Sequence, residues 1–129
     1  MSANLDLVRS IFAAWERGDF GWPEWANPEG EFVVADGPEP GSRTGLAARP
    51  WIEGFLNVWE SLRFEANEYR ELDDGRVLVL YRIRGRGKGS GVEVDQSRAS
   101  LFDIDKGKVT RVVSYWDPDR AIADLGLEE

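Results

Sequence analysis

Three turn signals divide the second half of this chain into four long segments, and they constrain the fold more than any other feature. They are Asp73-Asp74-Gly75, the glycine-rich stretch 87–91, and Asp105-Lys106-Gly107. Glycine and aspartate in such short stretches are typical of the tight turns between antiparallel strands. The pattern predicts strands over about residues 63–72, 76–86, 92–102 and 108–116, joined by three hairpins.

Apolar residues at helical spacing predict two helices in the first half of the chain. One runs over residues 4–17 and ends at Gly18, and the other covers about residues 50–62. Between them, residues 23–26 predict a turn or short helix, which Asn27-Pro28 ends. The apolar positions that mark the two longer helices are Leu5, Val8, Phe12 and Trp15, and Ile52, Phe55, Trp59 and Leu62.

The C-terminal tail predicts one more short helix. Asp117 is a suitable N-cap, Pro118 fits the first helical position and Gly126 follows the last turn. Because helices and strands are largely segregated along the chain, the fold class is α+β. We expect one domain over residues 1–129, in which a strongly curved antiparallel sheet of five strands packs against the N-terminal helices.

The composition excludes several kinds of chemistry. The chain contains no cysteine and no histidine. It therefore lacks disulfides, thiolate nucleophiles, Ser-His-Asp triads and histidine metal ligands. Acid–base chemistry would depend on carboxylates, tyrosines or lysines with shifted pKa values. The acidic pairs at the turns lack the spacing of a calcium loop, so we expect neither a metal nor a cofactor.

The charge balance narrows the possible partners. The net charge is -8, with 24 acidic and 16 basic residues. Nucleic acids and anionic membranes attract clustered lysines and arginines, so neither is an expected partner. On net charge alone, a small ligand is expected to be neutral or cationic. The N-terminus lacks the pattern of a secretory signal and no stretch is long enough to span a membrane, so we expect a cytoplasmic protein.

The stretch EFVVADGPEPGSRTG, residues 31–45, places one acid, Asp36, between an apolar run and a loop of glycines and prolines. Residues 31–36 alternate as a short strand, with Phe32, Val34 and Asp36 on one face. Aspartate before Gly37 is typical of a turn, because its side chain bonds the backbone two residues on. The alternative is a general base at the mouth of a pocket. The residues alone leave both interpretations open.

The stretches VVADGPEPGSRTGLAARPWIEGF and GKVTRVVSYWDPDRAIADLGL, with this order of elements, resemble the cone-shaped superfamily of nuclear transport factor two-like proteins. The SnoaL-like and ketosteroid-isomerase-like branches are the most similar. The resemblance covers nearly the whole chain and implies a cone-like sheet around a mostly apolar pocket. Ketosteroid isomerases carry a catalytic aspartate, then a Gly/Pro loop, an arginine and a glycine, which correspond here to Asp36, Arg43 and Gly45. By this resemblance, Asp36 is a candidate general base.

Other parts of the isomerase machinery are missing from this chain. Those enzymes place a phenol eight residues before the glycine that ends the first helix, where this chain has Ser10. Their second oxyanion donor, a protonated aspartic acid, corresponds to about Ser100. Because such an isomerase needs a base, a phenol and a neutral acid together, steroid isomerisation is not expected. An epoxide hydrolase-like site, with an arginine between two aspartates, would have only Arg98 and Asp36 here.

Side chains on the predicted strands and helices are candidates for contacting a ligand. Gln96, Arg98 and Ser100 share one face of strand 92–102. Arg98 can bind an anionic or carbonyl group, pair with Asp36, or belong to an exposed polar face. The aromatic rings can wall a pocket for a flat or cyclic ligand, or form an ordinary core. The candidate ligand contacts are Trp15, Trp25, Phe32, Phe55, Trp59, Tyr81, Gln96, Ser100 and Trp116.

Two patterns that are typical of nucleotide or nucleic-acid binding have simpler explanations here. Arg82, Arg84 and Arg86 form a basic stripe, but cross-strand ion pairs with Glu93 and Asp95 would neutralise it. The alternating glycines of GRGKGSG lead into another strand, whereas a phosphate-binding loop leads from a strand into a helix. We therefore expect a solvated face and a hairpin turn.

Two classes of function remain. The first is a cofactor-free isomerase, cyclase or dehydratase of a hydrophobic carbonyl compound, in which Asp36 moves a proton and Arg98 or Tyr81 stabilises the oxyanion. The second is a non-catalytic module that uses the pocket for a small hydrophobic ligand, or the open face of the sheet for a partner. We also expect a homodimer, because that sheet face needs cover and polar and apolar residues alternate on the last strand, at Val112, Ser114 and Trp116.

Overall fold

The computed structural model describes residues 3–18, 26–36, 41–44, 54, 57–72 and 74–127. In this part of the chain two helices and a six-stranded, curved and unclosed mixed sheet form an α+β cone. The strand order is β2-β1-β6-β5-β4-β3. In chain order the elements are α1 (Ala3–Glu16), β1 (Ala26–Val34), β2 (Gly41–Thr44), β3 (Trp59–Glu71), β4 (Val77–Gly87), β5 (Glu93–Asp105), β6 (Lys108–Tyr115) and α2 (Pro118–Asp124).

Each face of the sheet carries its own apolar cluster, because successive side chains of a strand point to opposite faces. Helix α1 covers one face, which we call the inner face. Helix α2 covers part of the opposite, outer face. The buried inner cluster consists of Val8, Ile11, Phe12, Val77, Val79, Tyr81, Phe102, Val109 and Val112. The buried outer cluster consists of Leu78, Ala99, Leu101, Val113, Tyr115, Ala121 and Ile122.

The predicted hairpins are confirmed. Strands β3 to β6 pair antiparallel in sequence order, and each of their bounds lies within four residues of the expected one. The predicted C-terminal helix is also confirmed. Asp117 is its N-cap and accepts a hydrogen bond from the Asp119 N–H at 3.0 Å, and Pro118 opens the helix. Gly126 has a positive φ of 67°, a conformation that favours glycine, just beyond the helix end.

The second predicted helix is wrong at its C-terminal end. Gly54 and Asn57 are helical, but Trp59 and Leu62 lie on β3. A bulge after Trp59 makes Trp59 oppose Gly87 while Leu62 opposes Gly85, so two residues three apart share one face of a strand. That spacing is the same as on a helix. The remaining markers of this helix lie outside the described residues.

Strand β1 differs from its prediction in length and partners. It begins at Ala26, where a turn or short helix was expected, and its pairing with β6 is parallel. The register of that pairing shifts between Ala26 and Glu31, so Pro28 lies where the ladder is irregular and its missing N–H is tolerated. Strand β2 falls in the predicted loop after Asp36. A sheet expected to be antiparallel is thus mixed at this edge.

The basic stripe lies on the outer face, beyond the part that α2 covers, and forms the expected ion pairs. Arg82 donates to both carboxylate oxygens of Asp95, at 2.6 Å each, and Arg86 donates to Glu93 at 3.1 Å. All four side chains are substantially exposed to solvent. Exposed pairs of this kind contribute little to stability. No helix in the described part of the chain is long and apolar enough to cross a membrane.

Candidate functional site

Polar side chains form a continuous group on the otherwise apolar inner face. Gln96, Arg98 and Ser100 alternate with outward-facing residues of β5, as predicted. Tyr81 on β4 lies opposite Arg98, and Ser114 on β6 lies opposite Ser100. The three central strands therefore bring these five side chains together beside the aromatic cluster under α1.

A chain of hydroxyl groups forms the deeper part of the site. The Tyr81 hydroxyl lies 3.1 Å from Ser100 Oγ, which lies 3.4 Å from Ser114 Oγ. Tyr81 is only 5% exposed and packs against the rings of Phe12 and Phe64. Burial raises the pKa of Tyr81, and the lowering effects of the Ser100 hydrogen bond and the Arg98 charge are smaller. The phenol is therefore neutral at physiological pH and can donate one hydrogen bond.

Arg98 lies next to these hydroxyls and is 9% exposed. Its Nε and Nη2 atoms donate to the Gln96 side-chain oxygen, at 3.3 and 2.9 Å. The guanidinium carbon lies 4.3 Å from the centre of the Trp116 ring, a cation–π contact. Burial lowers the pKa of Arg98, while electrostatic interactions with the Tyr81 phenol and the Asp36 carboxylate act in the opposite direction. Arginine nevertheless keeps its charge at neutral pH.

Asp36 lies just beyond the end of β1 and is half-buried. One carboxylate oxygen accepts from the Trp116 N–H at 2.6 Å, and the other from the Asp117 N–H at 3.2 Å. The side chain thus ties β1 to the junction of β6 and α2, 80 residues away in sequence. An ionised carboxylate offers about four lone pairs. Both oxygens therefore keep capacity to accept from a ligand.

The aromatic candidates do not all meet at this group. Trp15 belongs to the core cluster, with its ring 4.9 Å from that of Phe12, and Phe32 packs against the same cluster. Trp59 lies over Gly85 near the far end of β4, where a Cβ on that glycine would meet the ring at 2.6 Å. Of the tryptophans that the structure describes, Trp116 is the one placed against Arg98. Trp25 and Phe55 lie outside the described residues, as does Gly45.

One member of the polar group was not predicted as a ligand contact. Ser114 shares one face with Val112 and, just beyond the end of β6, with Trp116, and this pattern led to its interpretation as part of a dimer surface. Val112 is instead buried in the inner cluster. The alternation identified the shared face correctly, but local sequence does not reveal which face α1 covers. Among the described residues, no group of three or more acidic side chains is placed to hold a metal ion.

Comparison with known proteins gives a consistent family assignment. The family model described as "SnoaL-like domain" matches residues 8–112. The uncharacterized proteins Rv0034 of Mycobacterium tuberculosis H37Rv and Mb0035 of Mycobacterium bovis are each 30% identical over 129 residues, which cover 90% of this chain and 91% of theirs. These relatives share the family but carry no named activity.

Solved structures share the fold at low sequence identity. An NTF2-like protein of unknown function from Burkholderia pseudomallei has a TM-score of 0.76 at 19% identity, covering 95% of this chain and 97% of its own. A candidate SnoaL-like polyketide cyclase from Jannaschia sp. CCS1 has a TM-score of 0.76 at 17% identity, covering 98% and 94%. TerC, co-crystallised with polyporic acid, has a TM-score of 0.73 at 21% identity, covering 96% and 98%.

Proposed function

Because the chain belongs to the family of SnoaL-like domains, we propose that it binds a small hydrophobic, cyclic carbonyl compound at the inner face and catalyses proton transfer on it without a cofactor. The reaction class is isomerisation, cyclisation or dehydration. Similar folds include proteins named as a candidate polyketide cyclase and a candidate isomerase, which is the same range of chemistry.

The observation that supports this proposal is a buried cation beside a carboxylate, next to the apolar cluster of the inner face. Arg98 and Asp36 flank Trp116, the first through its ring and the second through its backbone N–H. Proton abstraction next to a carbonyl needs a base and a group that stabilises the resulting oxyanion. Asp36 and Arg98 supply these two functions, and both act at the same end of the inner face.

In the proposed reaction, the Asp36 carboxylate takes a proton from the carbon next to the substrate carbonyl. The C–H electron pair becomes the double bond of an enolate, and the carbonyl oxygen takes up the negative charge. Arg98 faces this oxygen and donates hydrogen bonds to it. Its guanidinium has N–H groups free for this purpose, because they form no hydrogen bond with a described residue. Tyr81 is the weaker candidate for this role, since its hydroxyl already lies within hydrogen-bond distance of Ser100 in the core. Return of the proton to another carbon completes an isomerisation.

The second candidate function is non-catalytic binding at the same place. The observation that favours it is the bonding of Asp36, because both of its oxygens already accept backbone N–H groups. In that case Asp36 only holds the β6–α2 junction together, and Arg98 and Trp116 bind the ligand.

A hydrogen–deuterium exchange assay with model ketones separates the two functions without knowledge of the natural substrate. Wild-type protein is incubated with 2-tetralone and related cyclic ketones in D₂O, and loss of the proton signals next to the carbonyl is followed by NMR. Catalysis predicts faster exchange, which Asp36→Asn abolishes because the amide does not accept the proton. Asp105→Asn removes the same charge from an exposed turn and is the matched control. Binding without any acceleration of exchange would contradict the enzymatic proposal and favour the second function.

The homodimer also stays a prediction. Val112 is enclosed on the inner face, and α2 covers part of the outer face. The rest of the described outer face carries the exposed ion pairs of β4 and β5. Sedimentation at tens of micromolar that shows only monomer would contradict this prediction.

A further inference from the structure

Arg98 has more hydrogen-bond donors than the described part of the protein accepts. A guanidinium carries five N–H groups, and two of them donate to the Gln96 oxygen. Three therefore have no acceptor among the described residues. No side-chain atom of Arg98 is both fully buried and unbonded, so these N–H groups stay within reach of a ligand. A hydrogen bond from a guanidinium to a negatively charged oxygen is roughly twice as strong as one between neutral groups.

The charge of Arg98 is only partly compensated, because the Asp36 carboxylate acts on it without forming an ion pair. No carboxylate of the described residues lies within ion-pair distance of it. Gln96 is neutral, and the Trp116 ring covers one face of the guanidinium without accepting its in-plane N–H groups. Tyr81 does not supply a negative charge either, because burial raises the pKa of its hydroxyl. Arg82 differs in this respect: it is exposed, and its Nε and Nη2 atoms both donate to the Asp95 carboxylate.

We propose that Arg98 binds an oxygen of the ligand that is already negatively charged, so that the ligand is an aromatic or polycyclic carboxylate or ionised enol. This inference rests on the proposed binding of a cyclic ligand at the inner face, and it specifies the class. A carboxylate or an acidic enol beside a ring oxygen matches the planar fork of a guanidinium. The Trp116 ring, which is 37% exposed, favours a flat partner.

The net charge of -8 leads to the opposite expectation, a neutral or cationic ligand. Most of the acids in the described part of the chain are exposed, where water and salt screen their charges over roughly 10 Å. Arg98 is 9% exposed, and the effective dielectric constant around it is much lower than in water. The local cation therefore outweighs the distant surface acids in selecting the charge of the ligand.

The test compares pairs of compounds that differ only in charge. The full chain is titrated with benzoate and benzamide, 2-naphthoate and 2-naphthamide, and anthracene-2-carboxylate and its amide, by calorimetry and tryptophan fluorescence. We expect at least one carboxylate to bind on the order of tenfold more tightly than its amide. Arg98→Met should remove this preference. Arg63→Met, which removes an exposed arginine of β3, should leave it unchanged.

Different failures have different meanings. Equal affinity for the acid and the amide in every pair would overturn the anionic class and leave the proposed binding of a cyclic ligand intact. Absence of binding in all three pairs would contradict both proposals. If folded Arg98→Met still binds the carboxylate more tightly than the amide, another residue binds the anion, and the proposed role of Arg98 is wrong. If circular dichroism shows that Arg98→Met does not fold, Arg98→Lys, which keeps the charge without the planar fork, should reduce the preference; an unchanged preference would contradict the proposal.

Discussion

Two arginines on neighbouring strands differ in every respect that affects what they can do. Arg82, on the outer face of β4, is exposed and donates two hydrogen bonds to Asp95. Arg98, on the inner face of β5, is buried; within the described part of the chain it donates only to a neutral amide and lies against an aromatic ring. The outer face satisfies its charges within the protein, and water screens them. On the inner face, no acid of the described residues forms an ion pair with the arginine, which is how a site differs from a solvated surface.

The same contrast holds for the packing around these residues. The inner face is built around Phe12, whose ring lies within 6.5 Å of the rings of four other aromatic residues besides Trp15. The exposed part of the outer face consists of long polar side chains on β4 and β5. Substitutions should therefore be costly on the inner face and nearly silent on the outer one, and the following predictions test this difference in decreasing order of effect.

Phe12→Ala should cause the largest loss of stability. The side chain is fully buried at the centre of the aromatic cluster, and removal of such a ring costs about 3–5 kcal/mol. Phe12→Leu is the control, because it keeps most of the buried volume. Urea unfolding measures both. A loss below about 1 kcal/mol for the alanine variant would mean that the inner cluster is not the main core.

Asp36→Ala should cause the next largest loss of stability. It leaves the Trp116 and Asp117 N–H groups without their acceptor, and hydrogen bonds to a charged group contribute about 1.5–3 kcal/mol. Asp36→Asn keeps one oxygen acceptor but places an amide NH₂ against the second N–H, so we expect an intermediate loss. Hydrogen exchange at the amides of Trp116 and Asp117 gives the local readout. Unchanged protection there in Asp36→Ala would show that the contact is not made in solution.

Tyr81→Phe should cost about 1 kcal/mol, because Ser100 loses one of its two hydroxyl partners. It should also change the alkaline limb of the stability profile. Burial raises the pKa of Tyr81 above the value of about 10 that applies in the unfolded chain. Above about pH 10 the unfolded state therefore binds fewer protons than the folded state, and stability falls as pH rises.

Unfolding by urea at a series of pH values from about 8 to about 11 checks this effect. The decrease in the free energy of unfolding with rising pH should be shallower in Tyr81→Phe than in the wild type. It should not vanish, because burial also raises the pKa values of Tyr69 and Tyr115. Identical slopes for wild type and Tyr81→Phe would mean that Tyr81 is reached by solvent.

Asp95→Asn should have the smallest effect, although it breaks the ion pair with the best geometry in the described part of the chain. Arg82 and Asp95 are both solvent-exposed, and their attraction is screened. We expect no measurable change in the urea midpoint at physiological salt. A shift as large as that of Tyr81→Phe would contradict the distinction between the two faces.

Much of the sheet could be predicted from local sequence, because the turns that join β3 to β6 are encoded by glycine and aspartate within a few residues. The bulge near Trp59 could not be predicted, since three-residue spacing of apolar side chains is the same on a bulged strand and on a helix. The polar face of β5 followed from strand alternation. Ser114 belongs to the same polar group but was not predicted as a ligand contact. It shows the limit of that method, because alternation defines which residues share a face without saying what covers that face.

The sequence by itself determined the fold class, the C-terminal helix, the hairpins and the restriction of any proton transfer to side chains other than histidine and cysteine. These depend on composition and on contacts between residues near each other in the chain. Only the tertiary structure decided that β1 pairs in parallel with β6, that Asp36 bonds the backbone of Trp116, and that Arg98 is buried without an ion pair to any described acid. These features join residues up to 81 positions apart. Such pairings depend on how the whole chain packs, and no local pattern specifies them.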